Sequence, residues 1–259
     1  MVVAGSFIFL LAGFATGIVT GLVGASAIVV FVPIILLFLN YSLYALVGVS
    51  LSVDVFVSLF AWIIYRKFKH IDFKTGFYLS ILAVIGAIIG SLISRSLPSM
   101  DLLGVTSVVT ALTGIMLFRR KTKPRETYTV KDYSKSKLFI AIILSFVIGL
   151  FGGAAGSAGG ILIFLLLIFF LNFETHRAIG TSIFVMSFIA LSGSVAHIKA
   201  ITAMGFHWIL LVYAVVGGVI GSLFSATLAN VSSEKKLNKA VGIILFVLGT
   251  LTFIRQLFP

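Results

Sequence analysis

The sequence predicts an all-α polytopic membrane protein with two inverted-topology repeats, each a glycine-broken helical hairpin followed by three transmembrane helices. Three observations lead to this prediction. The first is composition: 60% of the 259 residues are hydrophobic and 10% are charged, whereas soluble domains carry about 25% charged residues. The second is a series of eight apolar stretches long enough to span a membrane. The third is a pattern of glycines that occurs once in each half of the chain.

The spanning stretches alternate with two shorter apolar pieces. A hydrocarbon core of about 30 Å requires roughly 20 apolar residues, and a helix over 26–39 or 158–171 would reach only about 21 Å. We therefore expect these two pieces to be return arms of helical hairpins or second halves of broken helices. The eight longer stretches cover residues 4–22, 42–65, 75–95, 100–118, 137–155, 174–197, 204–229 and 237–257.

The duplication divides the chain into a first transmembrane repeat (1–118), a polar linker (119–136) and a second transmembrane repeat (137–259). Homologous halves with interrupted hydrophobic segments at matching places indicate a transporter binding site. With a shift of 132 positions, Gly17, Gly21, Gly24, Asn40, Gly48 and Ser50 fall on Gly149, Gly153, Gly156, Asn172, Gly180 and Ser182. With a shift of 131, Gly86, Gly90 and Ser91 fall on Gly217, Gly221 and Ser222.

The net charge of +12 is placed in short loops beside the spans, where the positive-inside rule acts. If each hairpin enters and returns on one side, the loops 66–74, 119–137 and 230–239 with Arg177 are cytoplasmic and hold 16 of the 19 basic residues. If each hairpin makes one net crossing, the split is 14 to 5. The first arrangement fits better, and it inverts the second repeat because a hairpin plus three spans is an odd unit.

The apolar stretches and this charge placement predict a multi-pass protein of the cell membrane that has the lipid bilayer as a partner and binds no nucleic acid. The N-terminus lacks a basic region, so the first segment is expected to be a retained helix. The absence of cysteine excludes disulfides and thiolate metal sites, and no cofactor or metal is expected.

The glycine clusters at 24–27 and 156–160 are the places where the backbone can most easily leave helical geometry. Inside a bilayer this is tolerated where the chain is buried or lines a wet cavity. A helix that starts after such a turn presents free N–H groups and the positive end of its dipole, so two such starts would form an anion cradle. The alternative role for such glycines is close helix packing. The substrate-binding candidates are Gly24, Ala25, Ser26, Ser50, Gly156, Ser157, Gly159, Gly160, Thr181 and Ser182.

The hydroxyl groups of Ser50, Thr181 and Ser182 leave two alternatives open. They could donate hydrogen bonds to an oxyanion, or they could bond back to carbonyls of their own helices.

Asp54 is the one acidic residue deep inside a predicted span. Because intramembrane carboxylates are costly, they usually face a cavity or a partner. Next to an anion the carboxylate would have to be protonated, which predicts proton coupling. The alternative is a structural pairing with a lysine or arginine. His176, Arg177, His197 and Lys199 lie near the ends of one span and are interpreted mainly as interfacial anchors.

Two short motifs resemble the sulfite exporter TauE/SafE permease family. Residues 24–33 (GASAIVVFVP) and 156–160 (GSAGG) resemble its G-x-G-G-G-x-x-x-x-P signature, and 178–182 (AIGTS) resembles its A-x-G-T-S signature. The chain departs from the pattern at Ala25 to Ala27, where glycines are usual, and at Leu165, where proline is usual. The resemblance implies a secondary permease for small sulfur-containing or carboxylated anions, such as sulfite or organosulfonates.

The function predicted is therefore a secondary transporter of small sulfur-containing anions that is proton-coupled and works by alternating access, rather than an enzyme. A carboxylate substrate is one alternative. An intramembrane serine hydrolase is another, because Gly24, Ala25 and Ser26 begin a G-x-S-x-G-like pattern and His207 could act as a base. Position 28 is isoleucine instead of glycine, which argues against it. No charge ring or carbonyl filter indicates a channel.

Overall fold

A computed structural model describes residues 2–26, 28–39, 41–93, 99–119, 135–155, 158–203 and 205–257. Within these ranges the chain is helical and has no strand. The helices are α1 (Val2–Val23), α2 (Ile28–Phe38), α3 (Leu43–Lys67), α4 (Phe73–Ile93), α5 (Ser99–Phe118), α6 (Lys135–Ala155), α7 (Ala158–Leu165), α8 (Thr175–Ala203), α9 (Trp208–Val231) and α10 (Glu234–Leu257). A π-helical turn, Leu166–Phe170, extends α7.

Six of the described helices, α1, α3, α4, α6, α8 and α9, are long and apolar enough to cross a membrane. Helices α5 and α10 cover the two remaining predicted stretches. Large apolar side chains point outward along most of these helices, which is how a lipid-facing surface differs from the surface of a soluble protein. The prediction of an all-α membrane protein is confirmed.

The directions of the helices follow from their contacts. Helices α1 and α9 run parallel, because Gly13 lies against Ala214 and Gly17 against Gly218. Helices α3 and α9 also run parallel, because Val57 contacts Gly218 and the loop after α3 contacts the end of α9. Helix α1 is therefore parallel to α3, and α2 must return the chain to the side where α1 began.

The second half repeats this arrangement. Helices α4 and α6 are parallel, since Gly149 lies against Ala83 and Gly153 against Ala87. Helices α4 and α8 are parallel too, with Gly76 against Phe184 at one end and Gly193 near Ser91 at the other. Helix α6 thus runs parallel to α8, and the short α7 between them is the returning arm.

The corresponding helices of the two halves run in opposite directions. In α3 and α8, Gly48 lies against His197 and Gly180 against Tyr65. Helices α5 and α10 are likewise antiparallel, because Gly114 lies against Gly242 while Gly249 lies against Ser107. These directions support the division into two inverted repeats, which stays a prediction.

Glycine faces hold α1 against α9 and α4 against α6. A methyl group added to Gly17 would collide with the Gly218 carbonyl oxygen, and one added to Gly153 would collide with the Ala87 carbonyl oxygen. Serine side chains reinforce both pairs: Ser225 donates to the Gly17 carbonyl over 3.0 Å. Small residues permit this approach in membranes, where packing and interhelical hydrogen bonds drive association. Each tight pair combines one helix from each half.

Polar contacts join three segments at one end of the bundle. His70, after α3, bonds to Asn230 of α9 over 2.6 Å. Arg177 of α8 lies 3.6 Å from the Asp72 carboxylate, and the Thr175 hydroxyl donates to Glu234 over 2.9 Å. The basic segments 66–74 and 230–239 and the start of α8 therefore lie at the same end, which we call the polar end.

Aromatic rings pack together at the opposite end. The ring of Phe9 lies 5.5 Å from that of Phe31 and 5.8 Å from that of Phe206, centre to centre. Tyr41, just before α3, completes this group at 6.3 Å from Phe9. We call it the aromatic end.

Candidate functional site

The candidate site lies where the turns of the two hairpins meet. Gly24 has φ +73°, a left-handed conformation that favours glycine. The Thr20 hydroxyl donates to the Ala25 carbonyl over 2.8 Å and closes the turn. A methyl group on Gly160, in the first turn of α7, would collide with the Gly24 carbonyl oxygen. The two broken segments are thus in direct backbone contact.

A hydroxyl–carboxylate pair sits beside the first turn. The Ser26 hydroxyl donates to a carboxylate oxygen of Asp54, and both side chains are buried, with 1% and 0% exposure. Asp54 projects from the middle of α3, so the pair connects the hairpin turn to the long helix behind it. A buried carboxylate that accepts a hydrogen bond from a hydroxyl can gain and lose a proton while that hydrogen bond keeps the carboxylate in position.

Two side chains that were not predicted from the sequence form hydrogen bonds around the first turn and Asp54. The Ser58 hydroxyl donates to the Asp54 main-chain carbonyl. The buried Tyr65 donates to the Gly21 carbonyl over 2.9 Å and fixes the end of α3 against α1. Both lie on the face of α3 that carries Asp54, at i+4 and i+11, and that spacing is the signal that could have identified them.

The second half has an apolar counterpart of this pair. The shift of 132 residues that matches the halves pairs Asp54 with Met186 and Ser26 with Ala158. Met186 is buried, and its sulfur lies 3.5 Å from the position that a methyl group would take on either Gly159 or Gly160. Met186 therefore packs against the start of α7, whereas Asp54 contacts Ser26, two residues before the start of α2.

The predicted hydroxyl groups take different places. Ser182 lies at the turn, since a methyl group on Gly24 would be 2.7 Å from its oxygen, yet its hydroxyl donates to the Ile179 carbonyl over 2.9 Å. Ser50 likewise bonds to the Val47 carbonyl over 2.8 Å. The Thr181 oxygen accepts the Asp72 N–H over 2.9 Å at the polar end. Ser50 and Ser182 thus bond within their own helices, and Thr181 bonds at the polar end.

The other predicted binding residues lie at the contact between the turns, beside it, or outside the described residues. Ala25 and Gly160 are buried at the contact between the turns. Gly159 is beside it, in tight contact with Ile189. Gly156 and Ser157 lie outside the described residues.

His176 and His197 are buried in the bundle, where interfacial anchors would be exposed. His197 is fully buried, its Nδ1 lies 2.9 Å from the Gly193 carbonyl, and its ring is 4.7 Å from that of Tyr44. His176 is buried at the polar end, 3.0 Å from the Ser232 carbonyl. Helix α8 continues to Ala203, so His197, the predicted end of the span, lies six residues before the end of the helix. Lys199 is exposed, as expected.

The geometry gives no support to a hydrolase. The partner of Ser26 is a carboxylate, whereas His207 is exposed at the start of α9. No group of three histidine, aspartate or glutamate side chains that could hold a metal occurs in the described part of the chain.

Comparison with known proteins identifies the family. The profile of the sulfite exporter TauE/SafE family matches residues 9–252. The chain belongs to this family. It is 25% identical to the probable membrane transporter protein YunE of Bacillus subtilis, over 94% of this chain and 96% of the relative. Identity to YdhB of the same organism, also named a probable membrane transporter protein, is 24% over 94% and 98%.

A probable membrane transporter protein of Xylella fastidiosa is 26% identical over 90% of this chain and 89% of its own. No solved structure matches the chain significantly. The TauE/SafE chain described here is thus a multi-pass membrane transporter whose two hairpin turns meet in its interior.

Proposed function

We propose that this protein is a secondary transporter of a small sulfur-containing anion, such as sulfite or an organosulfonate, and that Asp54 couples transport to protons. The observation that carries the proposal is the contact between Gly24 and Gly160, with the buried Ser26–Asp54 pair beside it. The family's name agrees with a sulfur oxyanion.

The anion is attracted by the two helix starts. The first N–H groups of α2 and α7 have no partners within their own helices, and the dipole of each helix places partial positive charge there. Gly160 lets the first turn of α7 approach the Gly24 carbonyl closely, which brings the two helix starts together. An ionised Asp54 would repel the same anion, so protonation of Asp54 and anion binding favour each other.

Contacts between helices lie at both ends of the bundle. Hydrogen bonds and an ion pair join the helices at the polar end, and packed aromatic rings join them at the aromatic end. In alternating access, these contacts open at one end at a time. The glycine-packed pairs α1–α9 and α4–α6 are suited to move as rigid units, because their backbones are in contact.

We further propose that the protein resides in the cell membrane with the polar end cytoplasmic. The segments 66–74 and 230–239 share that end with Arg177, and their positive charges favour the cytoplasm. Single cysteines at positions 236 and 199 can be labelled in intact cells without background, since the chain has no cysteine. An impermeant reagent should label position 199 and spare position 236; the reverse pattern would contradict the orientation.

The substrate class is tested by thermal unfolding of the purified protein with sulfite, sulfonates and carboxylates. A ligand that binds the native state raises the midpoint by an amount that grows with the ratio of its concentration to its Kd. We expect sulfur oxyanions to raise the unfolding midpoint when Asp54 is protonated, since the neutral side chain does not repel them. The variant Gly160→Leu should abolish this increase. Stabilisation by carboxylates alone would reject the sulfur anion, and an equal increase in the variant would place the site elsewhere.

A further inference from the structure

Helices α5 and α10 form a groove on the outside of the bundle. Its volume is about 380 Å³, and its lining residues are Gly114, Ile115, Phe118, Arg119, Gly242, Ile243 and Phe246. The glycines bring the two backbones together, so the floor of the groove is narrow. Phe118 and Ile243 are about half exposed and form apolar walls that face the lipid.

Two cations stand at one end of this groove. Arg119 follows the last residue of α5 and lines the groove, and Lys239 lies one helical turn before Gly242 and Ile243 on the same face of α10. Gly114 and Phe118 both lie against Gly242, and that antiparallel register sets Arg119 level with Lys239. Both side chains are exposed.

These two charges have no ion-pair partner within the described ranges. The acidic residue of α10 closest in sequence to Lys239 is Glu234, and it accepts hydrogen bonds from Thr175 on α8. Five residues of helix separate the two, so they project in directions about 140° apart. As far as the described residues show, an anion at the mouth of the groove would therefore meet two positive charges that no carboxylate pairs.

The two positive charges also indicate which kind of molecule occupies the groove. Two copies of this chain in one membrane share an orientation, so a symmetric dimer across this face would set Arg119 and Lys239 at the same depth as their copies. Like charges across an interface repel. An anionic phospholipid complements both parts of the groove. Its acyl chains would lie along Phe118 and Ile243, and its phosphate would lie at the two cations.

We propose that the α5–α10 groove is a binding site for one anionic phospholipid, whose phosphate contacts Arg119 and Lys239. Basic pockets between transmembrane helices are suited to lipid head groups. The site is separate from the hairpin turns and does not depend on the transported anion.

The test is native mass spectrometry of the detergent-purified protein with phosphatidylglycerol or phosphatidylcholine at equal concentration. We expect one phosphatidylglycerol to be retained in preference to phosphatidylcholine. The double variant Arg119→Gln/Lys239→Gln should bind phosphatidylglycerol about 30-fold more weakly, at about 1 kcal/mol for each charge. The matched control is Lys67→Gln/Lys74→Gln, which removes two exposed charges outside the groove and should leave lipid binding unchanged.

A second variant tests the groove apart from its charges. Ile243→Trp fills the apolar channel and keeps both cations, so it should also lose the retained lipid. Equal retention of the two lipids, or wild-type binding in either groove variant, would overturn the proposal. So would a dimer that Ile243→Trp dissociates, or equally tight binding of glycerol phosphate without acyl chains.

Discussion

The two hairpin turns have corresponding positions but different chemistry. In the first half, Ser26 donates to Asp54 beside the turn, and Ser58 and Thr20 add further hydroxyls. In the second half, the positions matched to these four residues hold Ala158, Met186, Ala190 and Gly152. Every polar group of the first turn is thus replaced by one that cannot exchange a proton.

This difference separates two requirements of a transporter. Glycines near both turns permit the backbones to meet, whereas among the described residues a titratable side chain contacts only the first turn. A second carboxylate at position 186 would place two like charges near one small site, which is unfavourable unless one is protonated. Close backbone approach involves both halves, and we propose that proton coupling belongs to the first half alone.

The largest expected effect comes from filling the contact that both turns share. Gly160→Leu would drive a side chain into the Gly24 carbonyl and should abolish anion binding in a thermal-shift assay. Gly159→Ala is the matched control, because its methyl group would meet Ile189 at 3.3 Å, a contact that a small shift of a flexible side chain relieves. Wild-type anion binding by Gly160→Leu would show that this glycine serves packing alone.

A smaller effect is expected when the polar turn loses its hydroxyl. Ser26→Ala leaves the Asp54 carboxylate without that donor, and a buried group deprived of a partner costs about 1–3 kcal/mol. We expect proton-driven uptake to fall about 10- to 100-fold while the protein still inserts. Uptake in proteoliposomes at matched protein density measures this, and Ser182→Ala is the control at the turn. An equal loss in the control would remove the special role of Ser26.

The smallest effect is expected at the apolar turn. Met186→Leu conserves volume and should lower the free energy of unfolding by less than about 1.5 kcal/mol, with proton dependence unchanged. Thermal unfolding and uptake at two pH values check this. If the substitution altered the pH dependence of transport, the assignment of coupling to the first half alone would be wrong.

The sequence predicted the parts of this site that duplication and charge reveal. The glycine clusters identified Gly24 and Gly160, and the rarity of acids in spans identified Asp54. The fold class followed from composition, and the eight predicted stretches correspond to α1, α3–α6 and α8–α10.

The sequence could not predict which face of each helix points inward. These helices are apolar on nearly every side, and such a helix carries little directional signal. Thr181 therefore looked like a ligand of the site, although it accepts a hydrogen bond from Asp72 at the polar end. The contact between Met186 and α7 could not be predicted either, because nothing in an apolar span distinguishes a buried methionine from its neighbours.

The central claim is that Asp54, and nothing in the second turn, carries the coupled proton. Asp54→Asn keeps the shape and an acceptor oxygen for Ser26, but it cannot be ionised. In proteoliposomes with an imposed pH gradient, this variant should still bind the anion and exchange it across the membrane, yet fail to accumulate it in response to the gradient. Accumulation driven by the pH gradient at the wild-type level in Asp54→Asn would contradict the account.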